Sequence, residues 1–400
     1  MESLKELYRI GRGPSSSHTM GPVRAAEIFL GENQEAESFA CELYGSLAAT
    51  GKGHMTDKAI EDVFRAAGKQ VSMTWSPKTI LPKHPNALMF RSFSSGRELG
   101  HEVFYSVGGG RIVRENEDLE GNNIYPSDFL TMRSALLYCE EEGLGIWEIP
   151  VKVEGRSVVD CMETVWNAMK DEICRGIEEE GVLPGGLKLK RKASAYYMRS
   201  KSFSGNMGYN AELVSYALAA SEQNAAGGVV VTAPTCGSCG VLPSVLYFLQ
   251  KSYGFPDQKI YRALLTAGLF GNVIKENGSI SGAEVGCQGE IGSACAMASA
   301  AATQLLGGSN FQIEYAAEMG LEHHLGLTCD PVLGLVQVPC IERNAMASMR
   351  AINNAVYALM SDGRHIVSFD NAVKVMKETG RSLNSDYRET SDGGLAKLPL

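Results

Sequence analysis

Residues 294 to 302 read ACAMASAAA. A helix built from them carries small side chains on nearly every face. Neighbouring helices can approach such a cylinder closely, which places it at the centre of a bundle. The surrounding sequence agrees. From about residue 209 the pattern is helical almost throughout, with helices expected at 211–226, 242–253, 259–276, 291–306, 311–325, 341–360 and 368–379. No internal repeat accompanies them.

The first 150 residues read differently. A short helix is expected at 22–30 after a Gly-Pro turn, and strands at 71–74, 87–93 and 102–107. A helix follows at 129–142, an alternation of Ile146, Glu148 and Pro150 at 144–153, and a helix at 159–178. Between 180 and 208 come an acidic run, Pro184-Gly185-Gly186 and the basic run Lys188 to Lys192. The expected fold is therefore an α+β N-terminal domain followed by a mainly α-helical C-terminal domain. The expected boundaries are 1–150, a connecting segment at 151–208, and 209–400.

Composition removes several function classes. Net charge is −9, from 37 basic and 46 acidic residues. Without a basic stripe the chain is a poor match for nucleic acid or an anionic membrane surface. No apolar run reaches the length of a spanning helix. The start, Met1-Glu2-Ser3-Leu4-Lys5-Glu6, does not read as a signal peptide. A cytoplasmic location is expected, where ten cysteines read as fillers, redox groups or metal ligands before disulfides.

Six of the cysteines fall in the helical half. Cys236 and Cys239 form a single CxxC, half of a zinc site or a redox pair. Cys295 lies inside the Ala-rich helix and reads as buried filler. Cys287, Cys329 and Cys340 are expected in loops, spaced by 42 and 11 residues. Spacing leaves two readings open. They pack near helix ends, or three thiolates hold a metal group with one open position, as an iron–sulfur cluster would. The N-terminal half has two donor-rich loops, GRGPSSSHTMGPVR at 11–24 and GSLAATGKGHMTD at 45–57. Their hydroxyls, backbone N–H groups and Lys52 suit a small carboxylate, and His18 or His54 suits acid–base work near neutral pH. The plainer reading is a capping cluster and a solvent histidine. His84 and the segment Tyr105 to Gly110 look similar but carry less. His323 and His324 fall near an expected helix C-terminus, where a cationic imidazole is favourable.

Taken together, these segments resemble the iron–sulfur-dependent L-serine dehydratases of bacteria in their single-chain form. GPSSSHTMGPVRAA, GSLAATGKGHMTD, PKHPNA and FYSVGGG are similar to the family's β region. TAPTCGSCGVLP, SGAEVGCQGEIGSACAMA, LGLTCDPVLGLVQVPCIERN and GRSLNSDYRETSDGGLA are similar to its α region. The resemblance implies a four-iron four-sulfur cluster on Cys287, Cys329 and Cys340, with Cys236 and Cys239 near the site but not ligands. It implies that the helical domain is catalytic, and that the two histidine loops reach the cluster. It further implies L-serine as substrate and a homodimer. The open iron would act as Lewis acid on the β-hydroxyl, His54 or His18 would take the Cα proton, and Ser15, Ser16, Ser17, Thr19 and Lys52 would hold the carboxylate. Pyruvate and ammonium are the expected products.

One departure stands out. Relatives of this form carry a C-terminal cysteine that caps the open iron, whereas this chain ends AKLPL. A shortened tail or another capping group such as water is expected, and with it a more oxygen-labile cluster. Three alternatives compete. The same chemistry could act on L-threonine or L-cysteine, where one methylene is worth only about 1–3 kcal/mol of selectivity. The chain could be a non-catalytic amino-acid or redox sensor, or a zinc protein using the CxxC.

Overall fold

The structure, a computed structural model, describes residues 1–118, 121–390 and 393–398. Ser391, Asp392, Pro399 and Leu400 of the closing motif and tail lie outside the described residues. The chain begins inside the helical core. Met1, Leu4, Leu7 and Tyr8 are buried there. Glycines on the helix Asp257–Asn277 make the room: a Cβ on Gly268 would meet Leu4 and Tyr8, and one on Gly271 would meet Leu7. The Tyr8 hydroxyl donates to the Leu264 carbonyl at 2.8 Å. The chain then forms β1 (Ile10–Arg12). Residues 13–20 cross to the second core, and the helix Gly21–Glu32 enters it.

That second core is a five-stranded sheet. Its strands are β2 (Ser38–Tyr44), β3 (Gln70–Ser76), β4 (Asn86–Ser94), β5 (Arg97–Ser106) and β6 (Ile112–Arg114). The order is β3-β2-β4-β5-β6, with β2 and β3 parallel and the other pairs antiparallel. A parallel pair needs a crossover, here the helices Gly45–Thr50 and Thr56–Ala66. Phe29, Ile60 and Phe64 from the helices pack on Phe39, Leu43, Phe90 and Phe104 of the strands. β7 (Val229–Val231) pairs antiparallel with β1, tying the start of the chain to the helical half.

The expected central helix, Ser293–Leu305, is buried at every residue but Gln304. The helices Asp257–Asn277, Asn310–Glu322, Cys340–Leu359 and Val241–Tyr253 surround it. An added Cβ on Gly320 would stand 2.7 Å from the Cα of Ala296, so these two backbones touch. A mixed sheet in the N-terminal part and helices in the C-terminal part agree with the expected class.

The apolar clusters divide the chain differently from the expected boundaries at 150 and 208. The helices Met132–Glu142, Glu148–Glu154 and Ser157–Glu178 belong to the helical core, as do Leu183 and Ala193 from the Gly/Pro-rich segment. That segment includes the helix Ala193–Ser200, whose start is capped from across the core. Lys192 N–H donates to Glu222 Oε1 at 2.6 Å. Gly, Pro and charge runs mark local turns, and turns occur within a domain as readily as between two. No helix among the described residues is long and apolar enough to cross a membrane.

Candidate active site

Residues 13–20 lie where the two cores meet. A π-turn over Ser16–Met20 leads into the helix Gly21–Glu32, with Ser15 as its cap. Ser15 Oγ accepts from the His18 N–H at 3.1 Å, and Thr19 Oγ1 donates to the His54 carbonyl at 2.8 Å. Ser106, at the end of β5, donates to the Ser17 carbonyl at 2.6 Å. The loop is held from within and from the sheet, and these bonds present His18 and His54 side by side. Their rings lie 4.5 Å apart at a 39° tilt.

Both imidazoles are buried. His18 Nδ1 pairs with Ser17 Oγ at 2.8 Å and Nε2 with Ser46 Oγ at 3.1 Å. His54 Nδ1 has no hydrogen-bond partner. Burial pushes His54 down to about 4. Burial, then the neighbouring His54, holds His18 well below the usual imidazole value. Both are therefore neutral at pH 7, as a proton acceptor must be.

Glu389 links this pair to the cysteines. Its carboxylate oxygen is 3.6 Å from His18 Nδ1, and its backbone N–H donates to the Cys329 carbonyl at 2.9 Å. It adopts φ 57°, a left-handed conformation costly for a side-chain-bearing residue and common at functional turns. Burial, then Glu290 and Cys287, raises its carboxyl well above the usual range.

Cys287, Cys329 and Cys340 converge here. Cys287 and Cys329 are interacting neighbours, Arg343 acts electrostatically on Cys287, and Cys287 on Cys340. Cys329 lowers Cys287, with Arg343 helping, so Cys287 is the thiol most disposed to ionise. Cys287, with burial, raises Cys329; burial, then Cys287, raises Cys340. Glu290 lies 4.0 Å from Cys329 Sγ and accepts from Thr235 Oγ1 at 2.7 Å. Cys340 is not in a loop as expected but is the first residue of the helix Cys340–Leu359. Cys236 and Cys239 pack with Met20 and Val230 in a small apolar cluster, and burial, the largest cause, raises both thiols. Cys295 is fully buried in the central helix.

Lys52 is exposed, its Nζ 5.5 Å from the Trp75 ring centre. Ser15, Ser17 and Thr19 spend hydroxyl bonds on the loop and on His18. His324 is not a cation at a helix end: it is buried, donates from Nδ1 to the Gly320 carbonyl at 2.7 Å, and is pushed by burial down to about 4. His84 is buried 3.9 Å from Glu284. Ser46, Glu284, Glu290, Arg343, Arg388 and Glu389 were not singled out by sequence. All six sit inside the quoted motifs, but nothing in a single chain separates a site carboxylate or guanidinium from a solvated one.

A cleft of about 840 Å³ opens beside the histidines, lined by Ser46, Glu284, Arg381, Arg388 and Glu389 among others. Ser46 and Glu389, both beside His18, place its inner end at the site. Two neutral imidazoles and buried carboxyls thus stand beside a cleft and next to the thiol trio, an arrangement of the kind enzymes use on small molecules. The sequence matches the serine dehydratase alpha-chain family over residues 45–396 and the beta-chain family over 3–68. It is 40% identical to an L-serine dehydratase of Streptomyces coelicolor, covering 98% of each chain. It is 41% identical to L-serine dehydratase TdcG of Escherichia coli over 99% of each, and 36% identical to an L-serine dehydratase of Helicobacter pylori over 99% and 98%. The chain belongs to the L-serine dehydratase family, in the form that carries beta and alpha regions on one chain.

Proposed function

We propose that the protein converts L-serine to pyruvate and ammonium, with Cys287, Cys329 and Cys340 holding a four-iron four-sulfur cluster. The observation that carries this reading is the convergence of the thiol trio with the neutral His18–His54 pair. The donor set suits the group: Cys287 and Cys329 are buried and Cys340 half-buried, and Cys287, the thiol disposed to ionise, lies beside the cationic Arg343. No group of three or more His, Cys, Asp or Glu side chains suited to a single metal ion occurs among the described residues. A cluster is a larger body, whose ligands stand further apart than those of one ion. When bound, such a cluster supplies an iron without a protein thiolate as a Lewis acid for the substrate hydroxyl.

His54 is the better base for the Cα proton. Its Nδ1 is unpartnered, whereas both ring nitrogens of His18 are taken by hydroxyls. His18, held by Ser17 and Ser46, orients the pair. The Ser15–Thr19 loop builds this geometry more than it grips substrate. Loss of water from serine leaves an enamine, which tautomerises and takes up water to give pyruvate and ammonium. The ten free thiols support a reducing compartment such as the cytoplasm. Exposed Val356, Tyr357, Met360 and Ile366 support a homodimer, which light scattering would read.

Anaerobic purification, with iron, acid-labile sulfide and pyruvate measured together, tests the function. About four iron and four sulfide per chain with pyruvate formed supports it. A full cluster without pyruvate from L-serine overturns the substrate, and no cluster after reconstitution overturns the cysteine assignment.

A further inference from the structure

We propose that Arg388 anchors the substrate carboxylate, an inference that rests on the serine reading and deepens it. The expected cation is exposed, with Lys52 lying over Trp75, and the hydroxyls of Ser15, Ser17 and Thr19 are engaged in holding the loop and His18. The site therefore needs a cation elsewhere. Arg388 lines the cleft one residue before Glu389, whose carboxylate faces His18. Among the described residues its guanidinium makes no hydrogen bond or ion pair, and its Nε is buried without a partner. Other cations nearby are already served. Lys377 donates to the Asn277 carbonyl at 3.2 Å, Arg343 donates to the Thr328 carbonyl at 2.7 Å, and Arg381 is exposed to water.

A guanidinium with a buried, unpaired N–H is costly unless an anion meets it. Its planar fork fits a carboxylate through two parallel bonds, which fix orientation as well as position. The backbone here is held firmly. Cys329 N–H donates to the Tyr387 carbonyl at 2.8 Å, Glu389 N–H donates to the Cys329 carbonyl at 2.9 Å, and Cys329 and Arg388 form a parallel bridge. The anchor is thus tied to a residue of the thiol trio. A serine gripped by its carboxylate at Arg388 would be set at a fixed distance from both the thiols and the histidines. The site would then select α-amino acids over amino alcohols and amides.

The test compares the parent holoenzyme with R388K and R388Q. KM for L-serine should rise roughly 10- to 100-fold in R388Q, less in R388K, with iron and sulfide content unchanged and kcat moved less than KM. Binding of L-alanine, which keeps the carboxylate but lacks the leaving hydroxyl, is read by titration calorimetry. The parent should prefer L-alanine over L-alaninamide, and R388Q should lose that preference. A KM within threefold of the parent in R388Q, or an unchanged preference over the amide, overturns the anchor. Should R388Q fail to fold, R388M, which likewise removes the charge, decides by the same two readings. Pyruvate formation by the parent tests the serine reading; the differences between parent and variants test the anchor.

Discussion

His54 titrates at about 4 rather than at the ordinary 6.5, because burial strips water from its charged form. As the proposed base it acts only when neutral, so kcat/KM should track the neutral fraction of the free enzyme. At pH 5.5 an ordinary imidazole would be about 9% neutral, and one titrating at about 4 would be about 97% neutral. The assay is anaerobic pyruvate formation at low L-serine from pH 8 to 5.5, with cluster content checked at each point. A flat profile over that range is expected. An acid limb with its midpoint near 6.5 would refute the argument, showing either a solvated base or a different one. The same depression sets a stability trend. Between 6.5 and about 4 the unfolded chain binds a proton that the folded one refuses. Stability from this group is therefore fully present above 6.5 and lost as pH falls towards 4.

His54→Asn should lower kcat by roughly 10²- to 10⁴-fold while iron and sulfide stay at parent levels, as steady-state kinetics with metal analysis would show. Cys329→Ser should lose both iron and sulfide in anaerobically purified protein, since a hydroxyl is a far poorer ligand for such a cluster than a thiolate. Gly320→Ala tests the centre of the bundle. Alanine favours a helix by about 1 kcal/mol over glycine, but here its Cβ would press on the backbone of Ala296 and Cys295. Overpacking should win, for a net loss of about 1–3 kcal/mol in denaturant unfolding. An unchanged or raised stability would contradict the close helix contact.

Much of the framework was legible. The seven expected helices of the C-terminal half all occur, because each is long, apolar on at least one face and punctuated by Gly, Pro or a capping Ser. The strands at 70–76, 86–94 and 97–106 were visible as short β-rich runs between turns. The strand Ser38–Tyr44 was not, since FACEL mixes polar and apolar residues over too short a window. Nor was the burial of Met1 to Tyr8. Its partners, Gly268 and Gly271, lie more than 250 residues away, and no local pattern announces so distant a contact.

The candidate site divides along the same line. The sequence by itself determined which residue types could do chemistry: three spaced cysteines, two histidines in donor-rich loops, and a helix small enough to be central. Only the tertiary structure decided their surroundings. Cys287 and Cys329 become a pair because the fold sets two distant segments side by side, and Arg343 reaches them from the helix that Cys340 opens. His18 and His54 become neutral because two cores close over them. Lys52 lies exposed over the face of Trp75, and Arg388 is tied by a backbone bridge to Cys329. A charge or a hydrogen bond acts over a few ångströms of space, and the chain records only neighbours along itself.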